Sequence, residues 1–124
     1  MRKAFAHIAM LEMEADADTR APGAAITVAL CGHWEHEPPC PVAPHHNHAE
    51  WVDGDVRVRT LFVAEPHLEA EIRQRIEAAL SSGQLCGPDG VTTRWQLLSC
   101  EPSVVGAKET AHALRLNLRG LTGR

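Results

Sequence analysis

The clearest pattern in the chain is an alternation of apolar and polar positions over residues 55–64. One set of alternate positions holds Val56, Val58, Thr60 and Phe62, and the other holds Arg57, Arg59, Leu61 and Val63. A period of two matches the way side chains alternate between the two faces of a strand. Asp53-Gly54, just before it, is a turn signal. The stretch is therefore predicted to be a strand that follows a tight turn.

Three further stretches are also predicted to be strands. Residues 92–100 and 112–119 both alternate, and in the second of them three leucines alternate with polar residues. Residues 24–31 form an almost wholly apolar run that ends at Gly32. Such a run is typical of a strand covered on both faces.

The N-terminal stretch 5–18 carries two conflicting signals. Its Ala, Met, Leu and Glu residues are good helix formers. Its apolar and acidic residues nevertheless alternate strictly from Leu11 to Asp18. We favour a strand here, followed by a turn over 19–23, and the helix remains the alternative.

One helix is predicted to begin at Pro66, since the first helical position needs no backbone N–H. Its apolar positions recur at helical spacing and comprise Leu68, Ile72, Ile76, Ala79 and Leu80. Glu69 with Arg73 and Glu71 with Arg75 are favourable pairs one turn apart. Ser81-Ser82-Gly83 ends the helix.

These elements predict an α+β fold in one domain over residues 1–124. We expect a mainly antiparallel sheet of about five strands with one long helix, in the order β-β-(metal loop)-β-α-β-β. A single helix covers only one face of such a sheet. Apolar residues are expected on both faces, so we predict a homodimer that hides the second face.

Composition and charge narrow the class of protein. The formal net charge is −4, and the arginines are spread along the chain, which speaks against a nucleic-acid partner. No apolar run approaches the length of a membrane span, and no export signal is recognised at the N-terminus. We therefore expect a cytoplasmic protein whose four cysteines are not paired in disulfides.

Seven of the chain's twelve Cys and His residues lie within eighteen positions of one Pro-rich stretch. They are Cys31, His33, His36, Cys40, His45, His46 and His48. Cys and His bind borderline and soft divalent metals. Residues 31–51 are therefore predicted to be a metal-binding loop, which its prolines stiffen.

Zinc is the expected ion, because Cys31, His33, His36 and Cys40 offer two sulfurs and two nitrogens, a donor set that suits tetrahedral zinc. Iron and copper are the alternatives, and the later His residues offer substitute ligands.

The competing functions are a metalloenzyme and a metal chaperone or sensor. In the enzyme the ion would keep an open position, and Glu35 or Glu37 would be the candidate general base. We assign no small-molecule ligand. Cys86, Cys100, His7, His67 and His112 are interpreted as structural or solvated.

Overall fold

The computed structural model describes residues 2–31 and 44–122. Its elements in chain order are β1 (Lys3–Glu12), α1 (Ala21–Cys31), β2 (His45–Val52), β3 (Asp55–Ala64), a 3₁₀ turn (Pro66–Leu68), α2 (Glu69–Ser81), β4 (Gln84–Cys86), β5 (Thr92–Arg94), β6 (Gln96–Ser103) and α3 (Ala107–Thr122). No described helix is long and apolar enough to cross a membrane.

Four strands form one antiparallel sheet in the order β2-β3-β1-β6. Together with α1 and α2 this is the split β-α-β arrangement of ferredoxin-like folds. The chain adds a small β4–β5 hairpin before β6 and the helix α3 after it. Helices α1 and α2 pack over the larger core on one face, and α3 packs on the other face.

The predicted strand at 55–64 is confirmed as β3, and both of its faces are used. Val58 and Phe62 belong to the larger core, whereas Leu61 and Val63 pack with α3. The turn before it has positive φ at Asp53 (51°) and Gly54 (88°), the combination that a type I′ hairpin requires.

The predictions for the N-terminal stretch and for the helix are confirmed in outline. The N-terminal strand forms β1, although it ends at Glu12. The helix begins with a 3₁₀ turn at Pro66 and ends at Ser81. Glu69 and Arg73 form the expected ion pair, 2.8 Å apart.

The strand predicted at 24–31 is wrong, because this apolar run is the helix α1. Its buried positions come in pairs one helical turn apart, Ala21 and Pro22 followed by Ala25 and Ile26, with Leu30 at the next turn. Polar residues would mark the exposed face, but the less buried positions are Gly23, Ala24, Thr27, Val28 and Ala29, and of these five only Thr27 is polar. The helical period was therefore invisible in the sequence.

The strand predicted at 112–119 is also wrong, because these residues lie within α3. Ala113 and Leu116, three positions apart, are buried against the sheet, while Leu114 is 61% exposed. Alternating leucines would all share one face of a strand, but on a helix they point in different directions.

The predicted strand 92–100 is divided between two sheets. Trp95 interrupts it: the backbone N–H of Trp95 bonds to Gly83 O, and the indole N–H donates to Leu80 O at 2.8 Å. Over residues 2–31 and 44–122, the expected five-stranded sheet with one long helix is thus a four-stranded sheet with a separate hairpin and three helices.

Two other expectations change with these assignments. Residues 45–51 of the predicted metal loop lie in strand β2. The homodimer was predicted because one face of the sheet was expected to be left uncovered by a helix. Helix α3 covers part of this face. The homodimer stays a prediction, but that reason for it no longer applies.

Candidate functional site

A cleft of about 470 Å³ opens between the edge of the sheet and α3. Strands β2 and β3 line one side and the first turns of α3 line the other. The lining residues are His46, His48, Arg59, Leu61, Lys108, Glu109 and His112. Three imidazoles from two distant parts of the sequence therefore meet at one surface cleft.

The register of β2 decides which histidines reach this cleft. His46 lies opposite Leu61 and His48 lies opposite Arg59, so both share the sheet face that α3 covers. His45 lies on the other face, where its Nε2 is 2.9 Å from Thr27 Oγ1 of α1. Strand alternation thus separates His45 from the other two.

Strand β2 is held against α1 by an amide network. Asn47 Nδ2 donates to Gly23 O at 3.0 Å, and Thr60 Oγ1 donates to Asn47 Oδ1 at 2.8 Å. A Cβ atom at Gly23 would lie 3.1 Å from Asn47 Cβ, so the absence of a side chain lets helix and strand approach closely. The network fixes the position of β2, and hence of its histidines.

The rings of His46 and His112 are in contact. Their centroids are 4.6 Å apart and their planes are inclined by 51°. His46 is exposed overall, but the partial burial of its ring, and then the charges of His112 and His48, lower its pKa. A neutral imidazole is the form that binds a metal.

Arg59 and Glu109 fix α3 beside this cleft. The Arg59 Nε–Glu109 Oε2 and Nη2–Oε1 distances are both 2.7 Å, and Arg59 Nη1 also donates to Ser103 Oγ at 2.7 Å. Glu109 Oε1 accepts the backbone N–H of Gly106 at 2.8 Å, which caps the start of α3. One carboxylate therefore both begins the helix and anchors it to β3.

The structure describes only part of the predicted ligand set. His33, Glu35, His36, Glu37 and Cys40 lie outside the described residues, and Cys31 is the last residue of α1. Within residues 2–31 and 44–122, no three His, Cys, Asp or Glu side chains converge closely enough to hold an ion as they stand.

A His–Cys contact lies under α2, where His7 Nε2 is 2.8 Å from Cys100 Sγ. Arg73 Nη1 lies 3.0 Å from His7 Nδ1. A guanidinium can only donate, so Nδ1 accepts and the proton of the neutral ring is on Nε2, facing the sulfur. The ring therefore cannot accept the thiol proton as a general base.

The pKa shifts of His7 and Cys100 also argue against a nucleophilic role for Cys100. Burial, and then the nearby Arg73 charge, lower the pKa of His7 to about 4. Burial, and then Glu77, raise the pKa of Cys100 to about 11. A neutral imidazole beside an uncharged thiol is a satisfied core contact. This agrees with the sequence analysis, which interprets His7 and Cys100 as structural or solvated residues.

A further cleft of about 430 Å³ lies between the start of α1 and the β4–β5 hairpin. Leu85, Pro88 and Val91 form much of its wall, and its rim holds the ion pair between Asp18 and Arg20. This cleft contains no His or Cys donor.

His112 is the site residue that the sequence interpretation missed. The signal that could have found it is helical spacing, since Glu109, His112, Ala113 and Leu116 recur at three- and four-residue intervals. Comparisons of the chain with protein-family models, with curated proteins and with solved structures found no match.

Proposed function

We propose that this chain is a small cytoplasmic metal-binding protein that holds a divalent ion, zinc in the first instance, through its Cys/His-rich segment. The observation that carries the proposal is the concentration of seven Cys and His residues within 31–48. The donor set for the tetrahedral ion is Cys31, His33, His36 and Cys40.

The described ends of this segment support the proposal. Cys31 ends α1 and His45 begins β2, and the two elements are joined by the Thr27–His45 contact. Val63 N also donates to Pro44 O at 3.0 Å, which ties the residue before β2 to β3. A segment with both ends fixed and several prolines loses less conformational entropy when it wraps an ion.

The contact made by His45 is compatible with a role as metal ligand. An imidazole that binds a metal usually forms a hydrogen bond through its second nitrogen, which orients the ring. Thr27 provides such a partner at Nε2. His45 is therefore the first substitute ligand among the later histidines.

The free thiols support a reducing compartment. Cys86 and Cys100 are both unpaired, and Cys86 is exposed. An exposed free thiol is typical of proteins kept under reducing conditions.

Elemental analysis of protein purified without an affinity tag tests the proposal. We expect about one divalent ion per chain. Substituted Co²⁺ should show thiolate-to-cobalt charge-transfer absorption, which Cys31→Ser with His33→Ala should abolish. The exposed His67→Ala serves as the control and should leave the absorption unchanged. Protein that contains no ion and develops no thiolate band with Co²⁺ would refute the proposal.

A further inference from the structure

We propose that His46, His48 and His112 form a second metal site, with nitrogen ligands only, in the cleft between β2 and α3. The inference deepens the proposed function and rests on it in one respect: His46 and His48 are part of the predicted donor cluster. It differs in assigning them a separate ion, bound without thiols, so that the zinc-saturated wild-type chain would hold two ions and not the one that the proposed function alone predicts. It also adds a ligand from α3.

The spacing of the His46 and His112 rings fits a shared ion. A divalent ion bound at about 2.0–2.1 Å by one nitrogen of each ring sets the ring centres roughly 5 Å apart. The observed centroid separation is 4.6 Å. The separation of the two rings is therefore compatible with a shared ion, provided that the rings rotate to aim one nitrogen of each at it.

His48 can supply the third nitrogen once its side chain turns towards the other two, because the three imidazoles do not converge as they stand. It lies two positions after His46 on the same strand face, and residues so related are about 7 Å apart along a strand. His48 lines the same cleft as His112, and its side chain is exposed and can change rotamer. Three imidazoles leave a fourth position for water or another small ligand.

The charges around the cleft permit a cation to bind. Arg59 would repel an ion, but both carboxylate oxygens of Glu109 offset its charge. Lys108 adds one positive charge on a flexible stem that can extend towards solvent. Since the ligands come from two elements, the ion would also join α3 to β2.

Zinc titration of the Cys31→Ser/His33→Ala variant isolates the nitrogen site. We expect this variant to retain one zinc ion, and zinc to shift the ring-nitrogen NMR signals of His46, His48 and His112 together. Adding His112→Gln should weaken zinc binding at least about tenfold. Adding His67→Gln instead is the matched control and should change nothing.

A second substitution keeps the test independent of α3 folding. His46→Gln changes an exposed strand position and should weaken zinc binding as much as His112→Gln does. Unchanged affinity in both variants, or unshifted His112 signals on zinc addition, would overturn the second site. Zinc binding to the wild-type chain but not to the Cys31→Ser/His33→Ala variant would overturn the second site alone. Absence of zinc binding to the wild-type chain would overturn both proposals.

Discussion

Glu109 on α3 and Arg59 on β3, 50 positions apart in the chain, form a two-point ion pair with both nitrogen–oxygen distances at 2.7 Å. About a quarter of each side chain is exposed. Arg59 lowers the pKa of Glu109 to about 2, and the Gly106 N–H contributes in the same direction against the opposing effect of burial. We therefore expect the pair to help hold α3 on the sheet.

Replacing Glu109 with Gln should lower the free energy of unfolding by about 1–3 kcal/mol. The amide keeps the size of the side chain but removes the charge that Arg59 and Gly106 N–H contact. Urea denaturation measures the loss, and hydrogen exchange should show faster exchange in α3. Asp18→Asn is the matched control, because the Asp18–Arg20 pair is exposed and should contribute little. Equal effects of the two substitutions would show that Glu109 does not anchor α3.

Leucine truncations along α3 test whether this segment is a helix or a strand. Leu116→Ala should cost about 2 kcal/mol, because its side chain is only 5% exposed. Leu114→Ala should cost almost nothing, because Leu114 is 61% exposed. In a strand the two side chains would share a face and the two costs would be similar, so comparable losses in thermal unfolding would contradict α3.

Acid should destabilise the protein through His7 in a defined window. The folded-state pKa of His7 is about 4, below its ordinary 6.5, because burial and then Arg73 disfavour the charged ring. The unfolded chain therefore binds more protons between these values. The stabilising contribution is complete above pH 6.5 and is lost as the pH falls towards 4.

The size of this effect is on the order of 3 kcal/mol, from the conversion of about 1.4 kcal/mol per pKa unit. His7→Gln should remove this part of the pH dependence when stability is measured by urea denaturation between pH 7 and 4. A variant whose stability has the same slope as the wild type over this window would show that His7 does not titrate as described.

Cys86 and Cys100 should differ in reactivity. Cys86 is exposed, whereas burial and Glu77 raise the pKa of Cys100 to about 11. Iodoacetamide at pH 8 should therefore modify Cys86 well before Cys100. Peptide mapping by mass spectrometry follows both sites, and denaturant should abolish the difference. Early modification of Cys100 in folded protein would indicate an activated thiol and revive a nucleophilic role.

Chelation should leave the fold intact. Residues outside the Cys/His-rich segment form both packed faces of the sheet, with Phe62 and Ile72 on one and Leu61 and Leu116 on the other. Far-UV circular dichroism should change little with EDTA, since a chain of this size buries a core without metal. Loss of most of the helical signal would instead show that folding depends on the ion.

The sequence by itself determined the strand β3, the helix α2 and the concentration of Cys and His residues within 31–48. In β3 and α2, polar residues mark the exposed positions, so the period of two or of 3.6 can be read directly. The metal-binding hypothesis rests on that cluster and stays a prediction. The hairpin turn at Asp53-Gly54 followed from backbone preferences alone.

Only the tertiary structure decided that α1 and α3 are helices and which histidines line the cleft between β2 and α3. In α1 an apolar run hides the helical period. In α3 a short alternation of leucines imitates a strand, and burial against β3 selects the helix. His112 joins His46 because sheet register and the Arg59–Glu109 contact bring together residues far apart in the chain, a relation that local spacing cannot encode.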